Sequence, residues 1–171
     1  MVEIHETAYP RFKYNSTQSE IPSLYSPNEA EQRCMRSRQL DTDLQQAHIV
    51  YLKCFQRLGY FPSYGDIPLS VREHIAESIE RSPVCPSFVD TIPGRSLRRI
   101  KTAVRRRCCV KRFTLQSEGN WLRDFALDIT QTKESVNAVI ALLVKDSYEL
   151  PAFSTLDRLG YVARSAANIG G

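Results

Sequence analysis

Apolar residues recur along this chain at the spacing of a helix that buries one side. Between positions 42 and 58 one broad arc of such a helix gathers Leu44, Ala47, His48, Tyr51, Leu52, Phe55 and Leu58. Asp41 or Thr42 can cap the start of this helix, and Gly59 can end it. The pattern predicts a core helix in which His48 is a packed residue rather than a ligand or a base.

The residues before this core helix predict an arm and one short helix. Residues 1–27 contain three prolines separated by small polar residues, which predicts an extended arm, and its aromatic side chains should lie against the body. Ser26, Pro27 and Glu29 together form a start signal, with a capping serine, proline at the first helical position and an acidic side chain behind them. A short polar helix should then run to about Arg38.

The residues after the core helix predict two helix-turn-helix units. Residues 59–68 form a turn, and the next helix directs Val71, Ile75 and Ile79 inward. Towards the C-terminus, Thr132 can cap a helix that is apolar around most of its circumference, and Ser154 can cap a last helix. We therefore expect an all-α fold with an extended arm over 1–27, a first helical unit over 28–112 and a second over 113–171.

The charge of the chain is concentrated in one stretch, Gly94 to Arg112. Of the 23 Lys and Arg residues nine lie there without any Asp or Glu, which leaves 14 basic against 19 acidic residues elsewhere. A helix opened by Ser96 and ending near Arg106 to Cys108 would place Leu97, Ile100, Ala103, Val104 and Cys108 on one side. Seven of the nine cations would cover the opposite side, where phosphates are the commonest partner of so dense a positive charge, whereas Arg107 and Lys111 would fall on the apolar side.

This separation predicts contacts with double-stranded DNA. The candidate residues of the basic stretch are Arg95, Arg98, Arg99, Lys101, Arg105, Arg106 and Arg112. The last predicted helix adds Ser154, Thr155, Arg158 and Arg164 as candidates for base readout. The alternatives are a solvated or internally paired basic face, and an ordinary amphipathic helix at the C-terminus. Because the cations lie opposite the apolar side, we expect their replacement to leave folding little affected.

Other classes of function find little support in the sequence. No run of 18 apolar residues occurs and the N-terminus does not resemble a signal peptide, so we expect no membrane partner and a cytoplasmic location. The five cysteines and three histidines have no metal-binding spacing. Asp124 and Asp128, one turn apart, fit a solvated face better than a catalytic pair. We therefore expect no catalytic residue, metal, cofactor or small-molecule substrate.

Several stretches resemble a known family. They are residues 4–11 (IHETAYPR), 53–62 (KCFQRLGYFP), 67–68 (IP) and 149–159 (ELPAFSTLDRL). Together they are similar to the N-terminal region of the large transposases of the Tn-three family of replicative, cointegrate-forming transposons. The resemblance covers essentially the whole chain and consists of separated motifs in the same order.

The resemblance implies a helical region that binds the terminal inverted repeats of a transposon. In that family a distant C-terminal domain carries the metal-binding carboxylates, and no part of this chain resembles it. We therefore expect a DNA-binding module without a catalytic domain, from a truncated reading frame or a relic. The resemblance also implies a bacterial protein associated with the nucleoid. The alternative is a transposase fragment that pairs with full-length transposase and inhibits it. Gly160 within the last helix and the prolines between 83 and 93 depart from a regular pattern.

Overall fold

The regular elements of this protein are helices, which confirms the expected all-α fold. The computed structural model describes residues 7–12, 19–38, 40–113 and 133–156. Strand-like pairing in this part of the chain is limited to an isolated bridge between Lys111 and Tyr148. Within the same residues, none of the helices is both long and apolar enough to cross a lipid bilayer.

Seven helices are named here in chain order. They are α1 (Glu20–Tyr25), α2 (Glu29–Arg36), α3 (Thr42–Leu58), α4 (Leu69–Ser78), α5 (Pro86–Asp90), α6 (Gly94–Arg107) and α7 (Lys133–Lys145). A single 3-10 turn, Tyr64–Asp66, lies between α3 and α4. The chain divides into two units, residues 11–108 and residues 1–10 together with 109–171.

Helix α3 is the centre of the first unit, as predicted, but it is buried on all sides and not along one arc alone. Ten consecutive residues, 46–55, are buried, and α1, α2, α4 and α6 all pack against this helix. Its ends follow the predicted caps: the side chain of Asp41 accepts hydrogen bonds from the N–H groups of Asp43 and Leu44, both 3.1 Å long. Gly59 ends the helix at a φ of 79°, a left-handed conformation that glycine adopts without a steric penalty.

The prediction of an extended arm over 1–27 is wrong at its end, where α1 forms. Ile21 and Tyr25 of this helix are buried in the core of the first unit, so tertiary packing stabilises a turn that the sequence alone did not favour. Pro22 occupies the first turn, where the missing N–H of proline would have no helical partner. Phe12 and Tyr25 of the predicted arm do contact the body, because Tyr25 belongs to the core cluster of the first unit and Phe12 packs against that cluster.

The predicted cap of α2 is wrong by two residues. Asn28, not Ser26, is the cap: its side chain accepts from the N–H of Glu31 at 2.8 Å, and the Glu31 carboxylate accepts from the N–H of Asn28 at 3.4 Å. Ser26 is engaged elsewhere, with its hydroxyl 2.8 Å from Nε2 of His74 on α4. The reciprocal bonds satisfy two donors at the helix start, so the chain favours the Asn28 register.

The second unit has its own small core around α7. Val136, Ile140 and Leu143 are buried, as the apolar helix predicts, whereas Val144 is 60% exposed. Thr132, the predicted cap, lies outside the described residues. Tyr9 packs into this unit, where its hydroxyl donates to the carbonyl of Pro151 at 2.8 Å and its ring meets Phe153 edge to face.

Candidate nucleic-acid interface

The basic stretch forms α6, a helix with one buried side. The helix begins at Gly94, two residues before the predicted start. Pro93 stands immediately before it, with the φ that the proline ring fixes. It ends at Arg107, within the predicted range. Ile100, Ala103 and Val104 are buried, and the helix packs against α3. This packing fixes which side of α6 is available to a ligand.

The cations of α6 form two stripes beside one another. With a rotation of about 100° per residue, Arg98, Lys101 and Arg105 share one stripe, and Arg95, Arg99 and Arg106 share the other. All three arginines of the second stripe are exposed, and so is Arg98 of the first. The helix therefore presents guanidinium groups along its whole length on the side that faces away from α3.

Lys101 and Arg105 differ from the other cations because they are half-buried. Both lie over the ring of Phe61, with Nζ of Lys101 5.5 Å and the guanidinium carbon of Arg105 5.1 Å from the ring centroid. A cation above an aromatic face is attracted by the negative face of the ring. The sequence missed this contact: it placed the two side chains opposite the apolar side, and no local pattern links α6 to the turn after α3.

The ring of Phe61 is itself held in place by α3. It lies 4.5 Å from the ring of Phe55 at a tilt of 34°, and 5.9 Å from the ring of Tyr51 in an edge-to-face arrangement. Tyr51 meets Tyr64 in the same way at 5.7 Å. The aromatic side chain that carries the two cations is thus part of a cluster of four packed aromatic rings.

The exposed arginines of α6 are not neutralised within the part of the chain that the structure describes. The ion pairs found there are Arg33 with Glu29 and Lys53 with Glu31, both away from α6. No carboxylate among the described residues lies within salt-bridge distance of Arg95, Arg98, Arg99 or Arg106. Closely spaced like charges repel one another, so this side of α6 favours an anionic ligand.

Helix α4, the second helix of the first predicted helix-turn-helix pair, has the opposite character. Its exposed side includes Glu73 and Glu77, followed by Glu80 just beyond the helix. The one Arg or Lys of α4, Arg72, is half-buried, donates from Nε to the carbonyl of Ile67 and lies 5.9 Å from the ring centroid of Tyr64. The acidic side of α4 would repel phosphates, which leaves α6 as the basic helix of this unit.

The remaining candidates lie in the second unit. Arg112 is exposed. The backbone N–H of its neighbour Lys111 donates to the backbone carbonyl of Ser147 at 2.8 Å. Ser154 is exposed and Thr155 is half-buried. Helical backbone begins at residue 153, so Ser154 is the second residue of this helix and the prediction that it is the cap is wrong. Arg158 and Arg164 lie outside the described residues, so the predicted C-terminal candidates are seen only in part.

Among the described residues, His48 of α3 is the histidine with a strongly perturbed pKa, and it is buried in the first unit. Burial, followed by the positive charges of Arg38 and Arg107, lowers the pKa of His48 to about 4, so that His48 is neutral at pH 7. Its Nδ1 has no hydrogen-bond partner among the described residues. The same residues contain no cluster of three His, Cys, Asp or Glu that could hold a metal ion. His48 is a packed residue, as predicted.

The chain is similar to a known family of protein domains. The model of a domain family of unknown function, DUF4158, matches residues 1–163. This family is found in transposase-associated proteins of the Tn-three type. No curated protein matches the chain significantly.

Proposed function

The chain belongs to the DUF4158 family, and on that premise we propose that it is a DNA-binding module that recognises the ends of a transposon. The observation that supports this most directly is α6, whose exposed arginines have no carboxylate partner among the described residues. Phosphate contacts of this kind supply affinity for any duplex, while base contacts supply specificity. The terminal inverted repeats are the ligand implied by the resemblance to Tn-three transposases.

Helix α6 has the length and placement of a groove-binding helix. Its 14 residues span about 21 Å, enough to cross a major groove about 12 Å wide. It packs on α3 and follows α3, α4 and the short α5 in the chain, which supports a role as the third helix of a small helix-turn-helix domain. Arginines on its first two turns, Arg95, Arg98 and Arg99, are the residues placed to reach base edges or phosphates.

A charge-removal experiment tests this proposal. We expect replacement of Arg95, Arg98 and Arg99 by Gln to weaken binding to every duplex, and to reduce the slope of log K against log salt by about 0.9 for each lost phosphate contact. The control removes the same charge from α2 and its end through Arg33→Gln, Arg36→Gln and Arg38→Gln. Equal losses in both variants would show a nonspecific charge effect and overturn the assignment to α6.

The last helix is proposed to add base readout through Arg158, with Ser154 and Thr155 beside it. A bidentate contact from arginine to guanine discriminates by about 1 to 3 kcal/mol. The test compares Arg158→Ala on an inverted-repeat duplex and on a scrambled duplex at the same salt concentration. Loss confined to the inverted repeat supports readout, equal loss on both indicates a phosphate contact, and no loss on either excludes Arg158.

We further propose that the chain binds DNA without cutting it. Cleavage by two metal ions requires clustered carboxylates. The described residues contain no such cluster, and the Tn-three resemblance assigns that chemistry to another domain. Purified protein supplied with magnesium or manganese should leave transposon-end DNA intact, and metal-dependent nicking by the purified chain would contradict this.

A further inference from the structure

We propose that Phe61 is a positioning residue that holds Lys101 and Arg105 in the orientation in which α6 binds DNA. This inference rests on the proposed DNA-binding function and deepens it. It assigns a role in nucleic-acid binding to an aromatic residue that lies outside the basic stretch and carries no charge of its own.

The ring of Phe61 contacts both the core helix α3 and the basic helix α6. Its ring is packed against Phe55 at 4.5 Å and against Tyr51 at 5.9 Å, two buried residues of α3. It also carries Lys101 at 5.5 Å and Arg105 at 5.1 Å. One aromatic ring therefore links the rigid core helix to two cations of α6 that are one turn apart.

The position of these two cations explains why their orientation matters. Lys101 and Arg105 belong to the same stripe as the exposed Arg98, so their charged ends extend the row of guanidinium groups along α6. Long cationic side chains lose rotamer freedom when they bind a phosphate, and this loss opposes binding. Contact with Phe61 restricts Lys101 and Arg105 before DNA arrives, so less freedom remains to be lost on binding.

A purely structural contact would behave differently. If Phe61 served only to fix the turn after α3 to α6, its loss would lower stability and affect DNA binding only through unfolding. A positioning role instead predicts that the effect of Phe61 on DNA affinity depends on the presence of Lys101 and Arg105. A double-mutant cycle separates the two cases.

The experiment measures affinity for a mixed-sequence DNA duplex at several salt concentrations, with the full chain. Phe61→Leu keeps an apolar side chain but removes the aromatic face, and we expect affinity to fall about three- to tenfold. Phe61→Tyr keeps the face and should bind like the unmodified chain. In the background Lys101→Gln with Arg105→Gln, Phe61→Leu should have no further effect on affinity.

A second measurement covers the case in which Phe61→Leu fails to fold. Fluorinated phenylalanine at position 61 keeps the size of the ring but weakens its negative face, and affinity should fall progressively with the number of fluorines. Thermal unfolding of each variant establishes that the folded protein is being titrated.

The outcomes distinguish the two proposals. If Phe61→Leu weakens binding by the same factor with and without the two cations, or if fluorination has no effect, the positioning role is overturned while DNA binding stands. If the unmodified chain shows no affinity for duplex DNA, or if charge removal at Arg95, Arg98 and Arg99 has no effect, the function proposed for α6 itself fails.

Discussion

Lys53 donates from Nζ to Oε1 of Glu31 across 3.3 Å, and both side chains are buried between α2 and α3. Glu31 also accepts from the N–H of Asn28, so its carboxylate joins the cap of α2 to the core helix. Lone charges are seldom found in a protein interior, because removal from water costs several kcal/mol. Each of these two charges therefore depends on the other.

Lys53→Met should strongly destabilise the first unit. It leaves the Glu31 carboxylate buried without its cation, which costs about 3 to 5 kcal/mol in the free energy of unfolding measured with urea. The control is Arg33→Met, which breaks an exposed pair with Glu29 at 3.7 Å and should change stability by at most about 1 kcal/mol. Similar losses in both variants would show that the buried pair has no special role.

Stability should fall as the pH drops from about 6.5 to about 4. Folding lowers the pKa of His48 to about 4, so in this range the unfolded chain binds more protons at His48 than the folded chain does. The free energy of unfolding then decreases with acidification, and the contribution is fully lost only below the folded pKa. Urea titrations across this range measure the effect.

The variant His48→Leu should flatten the pH dependence in that window. Leucine fills the buried site without a titrating group, so the corresponding part of the slope disappears. His74→Gln is the matched control, because it also removes a histidine. Unlike the buried His48, His74 is half-buried, and its Nε2 lies 2.8 Å from the hydroxyl of Ser26. An unchanged slope in His48→Leu would assign the acid sensitivity to carboxylates instead.

Lys101 and Arg105 should contribute to stability, although the sequence led us to expect that they would not. Replacing both by Ala removes two cation–aromatic contacts with Phe61 and should cost about 1 to 2 kcal/mol in the free energy of unfolding. The same change at the exposed Arg98 and Arg99 should stay within about 0.5 kcal/mol for each residue. Thermal or urea unfolding of the two double variants decides between these expectations, and equal stability would contradict the Phe61 contact.

Tyr9→Phe should loosen the second unit. The change removes the hydroxyl that donates to the Pro151 carbonyl at 2.8 Å and leaves this acceptor without its partner, at a cost of about 1 to 3 kcal/mol. Tyr148→Phe is the control, since its half-buried ring lies under Lys111 and is retained in the variant. Hydrogen exchange of the backbone N–H groups of α7 reports on this unit, and equal protection in both variants would refute the prediction.

The N-terminal part of the chain shows where sequence patterns stop being sufficient. Ser26, Asn28 and Asp41 are all residues that can cap a helix, and local propensity ranks them nearly equally. Asp41 caps α3 as predicted. For α2, the predicted cap Ser26 instead meets His74, and Glu31 is held by Lys53, 22 residues away, which fixes the capping register at Asn28. Contacts distant in the sequence therefore decided a local feature.

The sequence by itself determined the helical class, the central place and the caps of α3, and the division of α6 into an apolar and a basic side. These features follow from spacing within a few residues, because helical rotation and backbone capping act locally. Tertiary structure alone decided that α1 forms, that Asn28 caps α2, and that Phe61 carries Lys101 and Arg105. In each case the stabilising contact joins residues that are distant in the chain, and no local period records such a contact.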